Sequence, residues 1–460
     1  MSYQPHNDAP TSSDCLDRGA LLDHVAETLV CCQPPMAFGV HGDWGAGKTS
    51  FLLQLNDCLK AHTKRDATEH WPVVTVWFEA WRYQNEPVPV VALLHAMRRQ
   101  FSALAKLLIK GQKLTEVTFR SILASLDNAA KLISIEALPF SAEKIEAIGK
   151  NWEKEHLAEQ LPADTLQKFL TEAIDTLLGS LKSTDRELKP RVILLIDDLD
   201  RCAPEAAYRL LEGLKIYLNL PNCVFVLGMN QHAVIDAIAK QLKDGAPGGS
   251  AQMRAEAYLE KLCTHIWRLM LPNPLHTLRC WIEDETLSAG LAEACLDANG
   301  QDLRCLPPNP RRLKSLANLL RRLHARGAKV DHPAQIRQLL IFAYVYQFHS
   351  ELFMRWHYEP GFWEELQHWV RGDWATSAEG KPLLPKYFED YKLLIGAGDS
   401  LTLQSYMTAF PDPVSADIFW MGPLLKAMVE DVSPTLGREF RPLFNIEMAP
   451  PPITTDRHAP

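Results

Sequence analysis

The sequence VHGDWGAGKTS, residues 40–50, carries the strongest structural signal in the chain. It contains the complete pattern G-x-x-x-x-G-K-[ST], whose glycines let successive backbone N–H groups turn inward and cradle phosphate. At average composition the pattern arises by chance in only about 2% of chains of this length. It follows a short apolar run, residues 36–40, and opens a segment with helical spacing. A glycine-rich turn that binds nothing is the alternative, but this context favours a phosphate-binding loop.

Each residue type in this loop has an expected role. Lys48 is expected to reach the β- and γ-phosphates of a nucleotide, and the Thr49 hydroxyl to coordinate Mg²⁺. The N-terminus of the following helix adds a partial positive charge. The predicted nucleotide-binding residues are therefore Gly42, Asp43, Trp44, Gly45, Ala46, Gly47, Lys48, Thr49 and Ser50.

A second motif, further along the chain, supplies acidic side chains. The apolar run VILLI, residues 192–196, leads directly into Asp197, Asp198 and Asp200. A carboxylate at the carboxyl end of a parallel strand lies where phosphates bind, so we predict that Asp197 holds Mg²⁺. Asp198 is predicted to orient or deprotonate the attacking water. A solvated acidic turn is the alternative, but it does not explain three acids after a wholly apolar strand.

Two further polar residues each have two interpretations. Arg201 could stabilise γ-phosphate charge across a subunit boundary or pair with Asp200, and we favour the ion pair. Asn230 follows an apolar strand, at a position where many ATPases with a phosphate-binding loop place a residue that senses the γ-phosphate. It could also cap the next helix, and both roles can hold together.

Strand and helix patterns alternate around these motifs, which predicts an α/β fold with a parallel sheet covered on both faces. A helical insert is expected at about residues 90–188, because the patterning there is only helical. Apolar runs predict strands at residues 36–40, 73–78, 192–196, 224–227 and 266–271.

A basic segment follows the predicted sheet. Asn309 and a proline predict a helix start, and Arg311 and Arg312 occupy its first turn, where the helix dipole disfavours cations. Residues 303–330 hold eight basic residues and no acid. We favour a lid arginine directed at nucleotide phosphate, with Arg311 ahead of Arg312. A solvated cationic face and a nucleic-acid or lipid patch are the alternatives.

Composition places limits on the remaining possibilities. The 460 residues, 47% hydrophobic and 23% charged, predict a globular protein of two or three domains. The net charge of -8 argues against a chain-wide grip on nucleic acid or anionic membrane. We expect a cytoplasmic protein with reduced thiols, because the sequence has no membrane-spanning apolar run, no signal peptide and no C-x-x-C pair among its ten cysteines.

The chain contains four distinctive segments in order: GDWGAGKT at 42–49, WFEAWRY at 77–83, IDDLDRC at 196–202 and NPRRLK at 309–314. Together they resemble the KAP family of P-loop NTPases. The resemblance implies ATP with Mg²⁺, an AAA+/STAND-like parallel sheet, a helical lid, and Trp81 and Arg82 beside the site. It also implies an NTPase core over residues 1–272 and a lid over 273–340, which leaves 341–460 as an aromatic-rich, mainly helical domain with a disordered tail.

The combined hypothesis is an ATPase that hydrolyses the β–γ bond to drive conformational switching and assembly with protein partners. Members of the family are associated with bacterial phage exclusion, so the resemblance implies anti-phage defence, defence-complex subunits as partners, and a possible homo-oligomer. Many members carry transmembrane helices in the insert, whereas the insert here is expected to be a soluble helical block. The alternatives are a non-hydrolysing, nucleotide-bound scaffold and an ATPase that acts on nucleic acid.

Overall fold

A computed structural model of the protein describes part of the chain, in two compact units. The units are Pro10–Met270, and Met1–Ala9 together with Leu271–Pro460. The predicted aromatic-rich domain beyond residue 353, its tail, and the middle of the insert, 111–161, lie outside the described residues. The residues that the structure describes are 5–7, 9–10, 14–64, 73–86, 89–110, 162–179, 190–217, 220–242, 250–348 and 353, apart from residues 283, 298, 304 and 329.

The first unit contains a five-stranded parallel sheet in the order β2-β3-β4-β1-β5. The predicted α/β class is confirmed, and each predicted strand is present to within a few residues. Strand β4 separates β1, which precedes the phosphate loop, from β3, which precedes the acidic residues. The strands are β1 (Met36–His41), β2 (Val73–Glu79), β3 (Arg191–Asp197), β4 (Cys223–Met229) and β5 (His265–Arg268).

Strands β3 and β4 are buried along their whole length because helices cover both faces of the sheet. Alternate side chains of β3 enter different cores. Ile193 and Leu195 belong to one hydrophobic cluster, and Leu194 and Ile196 belong to the other. A continuous run of large apolar residues is therefore what this position in the sheet requires.

Helices surround the sheet in the first unit. Helices α1 and α2 contribute Leu29 and Phe51 to one core cluster, and α3 and α5 contribute Phe101 and Leu211 to the other. The described ends of the insert, α3 and α4, are helical as predicted. The bounds are α1 (Gly19–Cys31), α2 (Lys48–Lys64), α3 (Pro89–Lys110), α4 (Pro162–Gly179), α5 (Pro204–Tyr217), α6 (Gln231–Gln241) and α7 (Ala251–Leu262).

The described part of the second unit is mainly helical. His6, near the N-terminus, joins α10 through reciprocal hydrogen bonds with Asn318, at 2.8 Å in each direction between backbone and side chain. Helix α11 is buried on all sides over about two turns, because the seven consecutive residues 339–345 are all enclosed. The helices are α8 (Pro274–Cys280), α9 (Glu285–Ala294), α10 (Pro310–Ala325) and α11 (Pro333–Phe348).

Neither membrane-spanning helices nor disulfides occur in the described part of the chain. No helix there is both long enough and apolar enough to cross a bilayer. All ten cysteines lie within this part, and each is a free thiol.

Candidate nucleotide-binding site

The phosphate loop joins the end of β1 to the start of α2. Gly45 and Gly47 have φ angles of +79° and +86°, a left-handed conformation that residues with a side chain rarely adopt. A hydrogen bond of 3.0 Å from the Ala46 N–H to the Asp43 carbonyl closes the turn. Lys48 begins α2, and Thr49 and Ser50 follow in its first turn. The loop residues of the predicted pattern thus form one continuous turn ahead of a helix N-terminus.

Lys48 lies across this loop and is only 7% exposed. Its Nζ donates to the Gly42 carbonyl at 2.8 Å and to the Asp43 carbonyl at 3.4 Å. The same ammonium lies 3.3 Å from Oδ2 of Asp200, in the acidic segment. The lysine therefore links the two motifs that the sequence identified, although they are far apart along the chain.

Parallel pairing brings the acidic segment to the same edge of the sheet. Asp197 is the last residue of β3, opposite Glu79 of β2, and His41 of β1 lies opposite Met229 of β4. The carboxyl ends of parallel strands meet at one edge, which is where α/β proteins bind ligands.

Asp197 is completely buried. The Thr49 hydroxyl and the Asp198 backbone N–H lie close enough to favour its charge, but neither makes a hydrogen bond of good geometry with its carboxylate oxygens. Burial, followed by repulsion from Asp198, raises the pKa of Asp197 to about 6, and the neighbouring Thr49 hydroxyl and Lys48 oppose part of that rise. A buried carboxylate with unused oxygens beside a threonine hydroxyl fits Mg²⁺, which binds through one or two protein oxygens together with substrate phosphates. The described residues hold no cluster of three or more acidic, histidine or cysteine ligands.

Asp198 takes a left-handed backbone conformation, φ +57°, as the chain leaves β3 for the short 3₁₀ helix Leu199–Arg201. Its Oδ1 lies 2.9 Å from Nε of Arg201. Burial raises the pKa of Asp198, and the attraction of Arg201 acts against that rise. The predicted ion pair between Arg201 and Asp200 is therefore wrong: the tight 3₁₀ turn directs Arg201 back to Asp198.

Asp200 instead points into the phosphate loop. Its side chain is 1% exposed, and Oδ2 accepts a 2.9 Å hydrogen bond from the indole Nε1 of Trp44 in addition to its contact with Lys48. The Trp44 ring itself is 63% exposed. Two side chains of the loop are thus held by one carboxylate of the acidic segment.

Asn230 caps α6, as one of its two interpretations predicted. Its Oδ1 accepts hydrogen bonds from the backbone N–H groups of His232 and Ala233, at 3.0 and 3.4 Å. Its Nδ2 donates to Oδ1 of Asp43 at 3.2 Å. The capping role leaves the amide nitrogen directed at the phosphate loop, so sensing of the γ-phosphate stays a prediction.

Arg18 is a residue of this site that the sequence did not reveal. It is 6% exposed, and its guanidinium donates to the Ala46 carbonyl at 2.8 Å and to the Met270 carbonyl at 2.9 Å. Burial lowers the pKa of Arg18 to about 10, and Asp14 opposes that change. An arginine just before an amphipathic helix resembles a surface residue, so no sequence signal distinguishes it.

The residues predicted beside the site from the second segment lie at the end of β2. Arg82 forms an ion pair with Glu79, and Trp81 is about half exposed. Arg82 therefore braces its own segment.

Some basic residues of α10 pack on aromatic rings of the second unit, and others, such as Arg311, are exposed. Arg312 stacks over the Phe348 ring at 5.0 Å, and Lys314 lies 5.9 Å from the Trp281 ring. Arg311 is exposed in the first turn, and Asn309 caps that turn by accepting from the Arg311 N–H at 3.1 Å. Packing on aromatic rings occupies part of the basic segment, and a lid role for Arg311 stays a prediction.

A phosphate loop between a buried parallel strand and a helix, facing a second strand that ends in carboxylates, is the architecture of the P-loop NTPases. Residues 18–273, more than half of the chain, match the KAP family P-loop domain. The chain belongs to this family. The resemblance and the fold class inferred from the sequence are thereby confirmed.

One solved structure resembles the chain at low sequence identity. The chain is similar to a solved structure of the Aeropyrum pernix ORC1 protein in complex with DNA, at 14% sequence identity and a TM-score of 0.34. That likeness covers 89% of this chain and 86% of the other chain. No curated protein matches the sequence.

The buried charge of Asp197 leads to a prediction about stability. Because folding raises the pKa of Asp197 from its usual value near 4 to about 6, the folded state binds the proton more tightly. The free energy of unfolding should therefore fall as pH rises through this window. Above pH 6, Asp197→Asn should be more stable than the wild type by on the order of 1–3 kcal/mol.

Urea denaturation between pH 4 and 8, in buffer with a metal chelator, measures this effect. Asp57→Asn, at an exposed position of α2, is the matched control. An identical pH dependence for the wild type and Asp197→Asn would contradict the assignment of Asp197 as a destabilising buried carboxylate.

Proposed function

We propose that the protein is a Mg²⁺-dependent ATPase that hydrolyses the β–γ phosphate bond. The observation that carries the proposal is the buried carboxylate of Asp197, which lies beside Lys48 and Thr49 and which no hydrogen bond of good geometry satisfies within the described residues. A fully buried carboxylate that the protein satisfies only poorly is costly, and a metal ligand at this edge of the sheet would offset that cost.

Nucleotide binding would rely on the phosphate loop. The backbone N–H groups from Gly42 to Ser50 would surround the phosphates, and the α2 N-terminus would add its partial positive charge. Lys48 would contribute an ammonium whose orientation the Gly42 carbonyl already restricts. Restricting the lysine before binding lowers the entropy lost when phosphate arrives.

Thr49 and Asp197 would hold the metal. Mg²⁺, when bound, would neutralise the charge that develops on the β- and γ-phosphate oxygens. Asp197 must be ionised to act as a ligand, and the positive charge of Lys48 favours that form.

Asp198 would orient the water that attacks the γ-phosphate. The ion pair with Arg201 holds the carboxylate in one position and favours its ionised form. A general base must lie within hydrogen-bonding distance of the proton it accepts, which a residue directly after Asp197 can satisfy. Water attack opposite the leaving oxygen completes the hydrolysis.

Substitution of Lys48 or of Asp198 tests this mechanism. Lys48→Ala should abolish turnover because phosphate binding is lost. Asp198→Asn should lower the rate of phosphate release by about 10²- to 10⁴-fold while it retains ATP binding, since only water orientation is removed. Phosphate release and calorimetric titration of ATP measure the two effects.

The outcomes also separate the rival functions. Full hydrolysis by Asp198→Asn would contradict the role of Asp198. Tight ATP binding by the wild type, with no phosphate release under any condition, would favour the nucleotide-bound scaffold. Stimulation of hydrolysis by nucleic acid, with steep salt dependence, would favour the nucleic-acid-acting ATPase.

Arg311 is our candidate for the arginine that stabilises charge in the transition state. Supplied by the lid or by a neighbouring protomer, such an arginine can raise the rate by about 10³-fold or more. Arg311→Ala should therefore lower kcat strongly with little change in ATP binding. Arg326→Ala, which removes another exposed arginine near the other end of α10, is the matched control.

A mixture of variants tests whether Arg311 acts between protomers. Arg311→Ala and Lys48→Ala proteins, each inactive alone, should recover activity when mixed if the arginine is donated across a subunit boundary. Equal kcat for Arg311→Ala and the control would contradict any catalytic role for Arg311.

The proposed biological role is conformational switching with protein partners in anti-phage defence, and family resemblance is its support. Cells that express the wild-type protein with its neighbouring genes should resist phage, and cells that express Lys48→Ala should not, because switching requires nucleotide. Plaque counts measure the difference. Equal protection by both proteins would contradict a nucleotide-dependent defence role.

A further inference from the structure

Asp200 is the acidic residue of the 197–200 segment that the proposed mechanism does not use. Its side chain is buried, and its Oδ2 lies 2.9 Å from the Trp44 indole nitrogen and 3.3 Å from Nζ of Lys48. Its Oδ1 is also buried and has no hydrogen-bond partner among the described residues. This carboxylate therefore faces the two loop side chains from outside the loop.

Lys48 has three oxygen neighbours for its three N–H donors: the carbonyls of Gly42 and Asp43, and Asp200. The two carbonyls belong to the phosphate loop itself. A phosphate that accepts hydrogen bonds from Lys48 must replace at least one of these oxygens. Asp200 is the neighbour that phosphate most directly resembles, because both are anionic oxygen acceptors.

We propose that Asp200 is a positioning residue that sets nucleotide affinity by competing with bound phosphate for Lys48. The inference rests on the proposed function, in which Lys48 binds phosphate. Because the carboxylate lies close to the ammonium, it also repels any phosphate that the ammonium attracts. Asp200 thus weakens binding of both substrate and product, which favours nucleotide exchange.

Trp44 moderates this competition. Its indole N–H donates to the same Oδ2 that faces Lys48, so it stabilises the carboxylate when phosphate takes the lysine away. The indole ring is mostly exposed, and its N–H supplies the carboxylate with a second donor beside Lys48. Loss of this donor would leave Asp200 more dependent on Lys48.

Calorimetric titration of the full-length protein with ATP and with ADP, in the presence of Mg²⁺, tests the proposal. Asp200→Asn keeps the shape of the side chain and removes its charge. We expect it to bind ATP roughly tenfold more tightly, or more. Asp23→Asn, an exposed position on α1, makes the same change in net charge and should alter affinity by less than about twofold.

Trp44→Phe provides a second test that does not depend on the folding of Asp200→Asn. It should bind ATP more weakly, by roughly two- to fivefold, because the competing carboxylate loses its other donor. In the double variant the Trp44 substitution should have no further effect. Equal or weaker ATP binding by Asp200→Asn, or unchanged or tighter binding by Trp44→Phe, would overturn the proposal.

The same titrations separate this inference from the proposed function. A wild-type protein that binds neither ATP nor ADP would overturn both. Binding of nucleotide by the wild type, with no gain in Asp200→Asn, would overturn the role of Asp200 and leave the ATPase proposal standing.

Discussion

The parallel register of β1, β4 and β3 brings three strand ends to one edge of the sheet, and the site depends on that alignment. Strand β1 delivers the phosphate loop, β3 delivers Asp197, and β4 lies between them and leads to Asn230. The strands can be held in this register because apolar side chains fill both faces of the sheet. The hydrophobic cores are therefore what brings together polar residues that are far apart in the sequence.

The buried charges at this edge form a connected set whose members differ in how well they are satisfied. Lys48 has three oxygen neighbours, Asp200 has two donors on one oxygen, and Asp197 has no hydrogen bond of good geometry within the described residues. Arg18 braces the loop from the other side through the Ala46 carbonyl. Each residue that fixes the loop thus makes at least two polar contacts, whereas both oxygens of the residue we assign to the metal stay available to a ligand.

Much of this arrangement could be predicted from the sequence, because the decisive signals are local. A glycine pattern before a helix, and an apolar run before acids, identify the loop, the acidic strand and the α/β class. Pairing between side chains could not be predicted. Arg201 bonds Asp198 rather than Asp200, and Asp200 bonds Lys48, because the tight turn after β3 sets directions that spacing alone does not encode. Arg18 could not be predicted for a different reason: its partners are backbone carbonyls, which leave no pattern of residue types in the sequence.

Residues 42–50 and 197–201 should form one nucleotide site. Hydrogen–deuterium exchange of the full-length protein, with and without ATP and Mg²⁺, tests it directly, with Lys48→Ala as the control. We expect both segments to exchange more slowly on addition of nucleotide in the wild type, and neither to change in the variant. Slower exchange in residues 42–50 alone would contradict the claim.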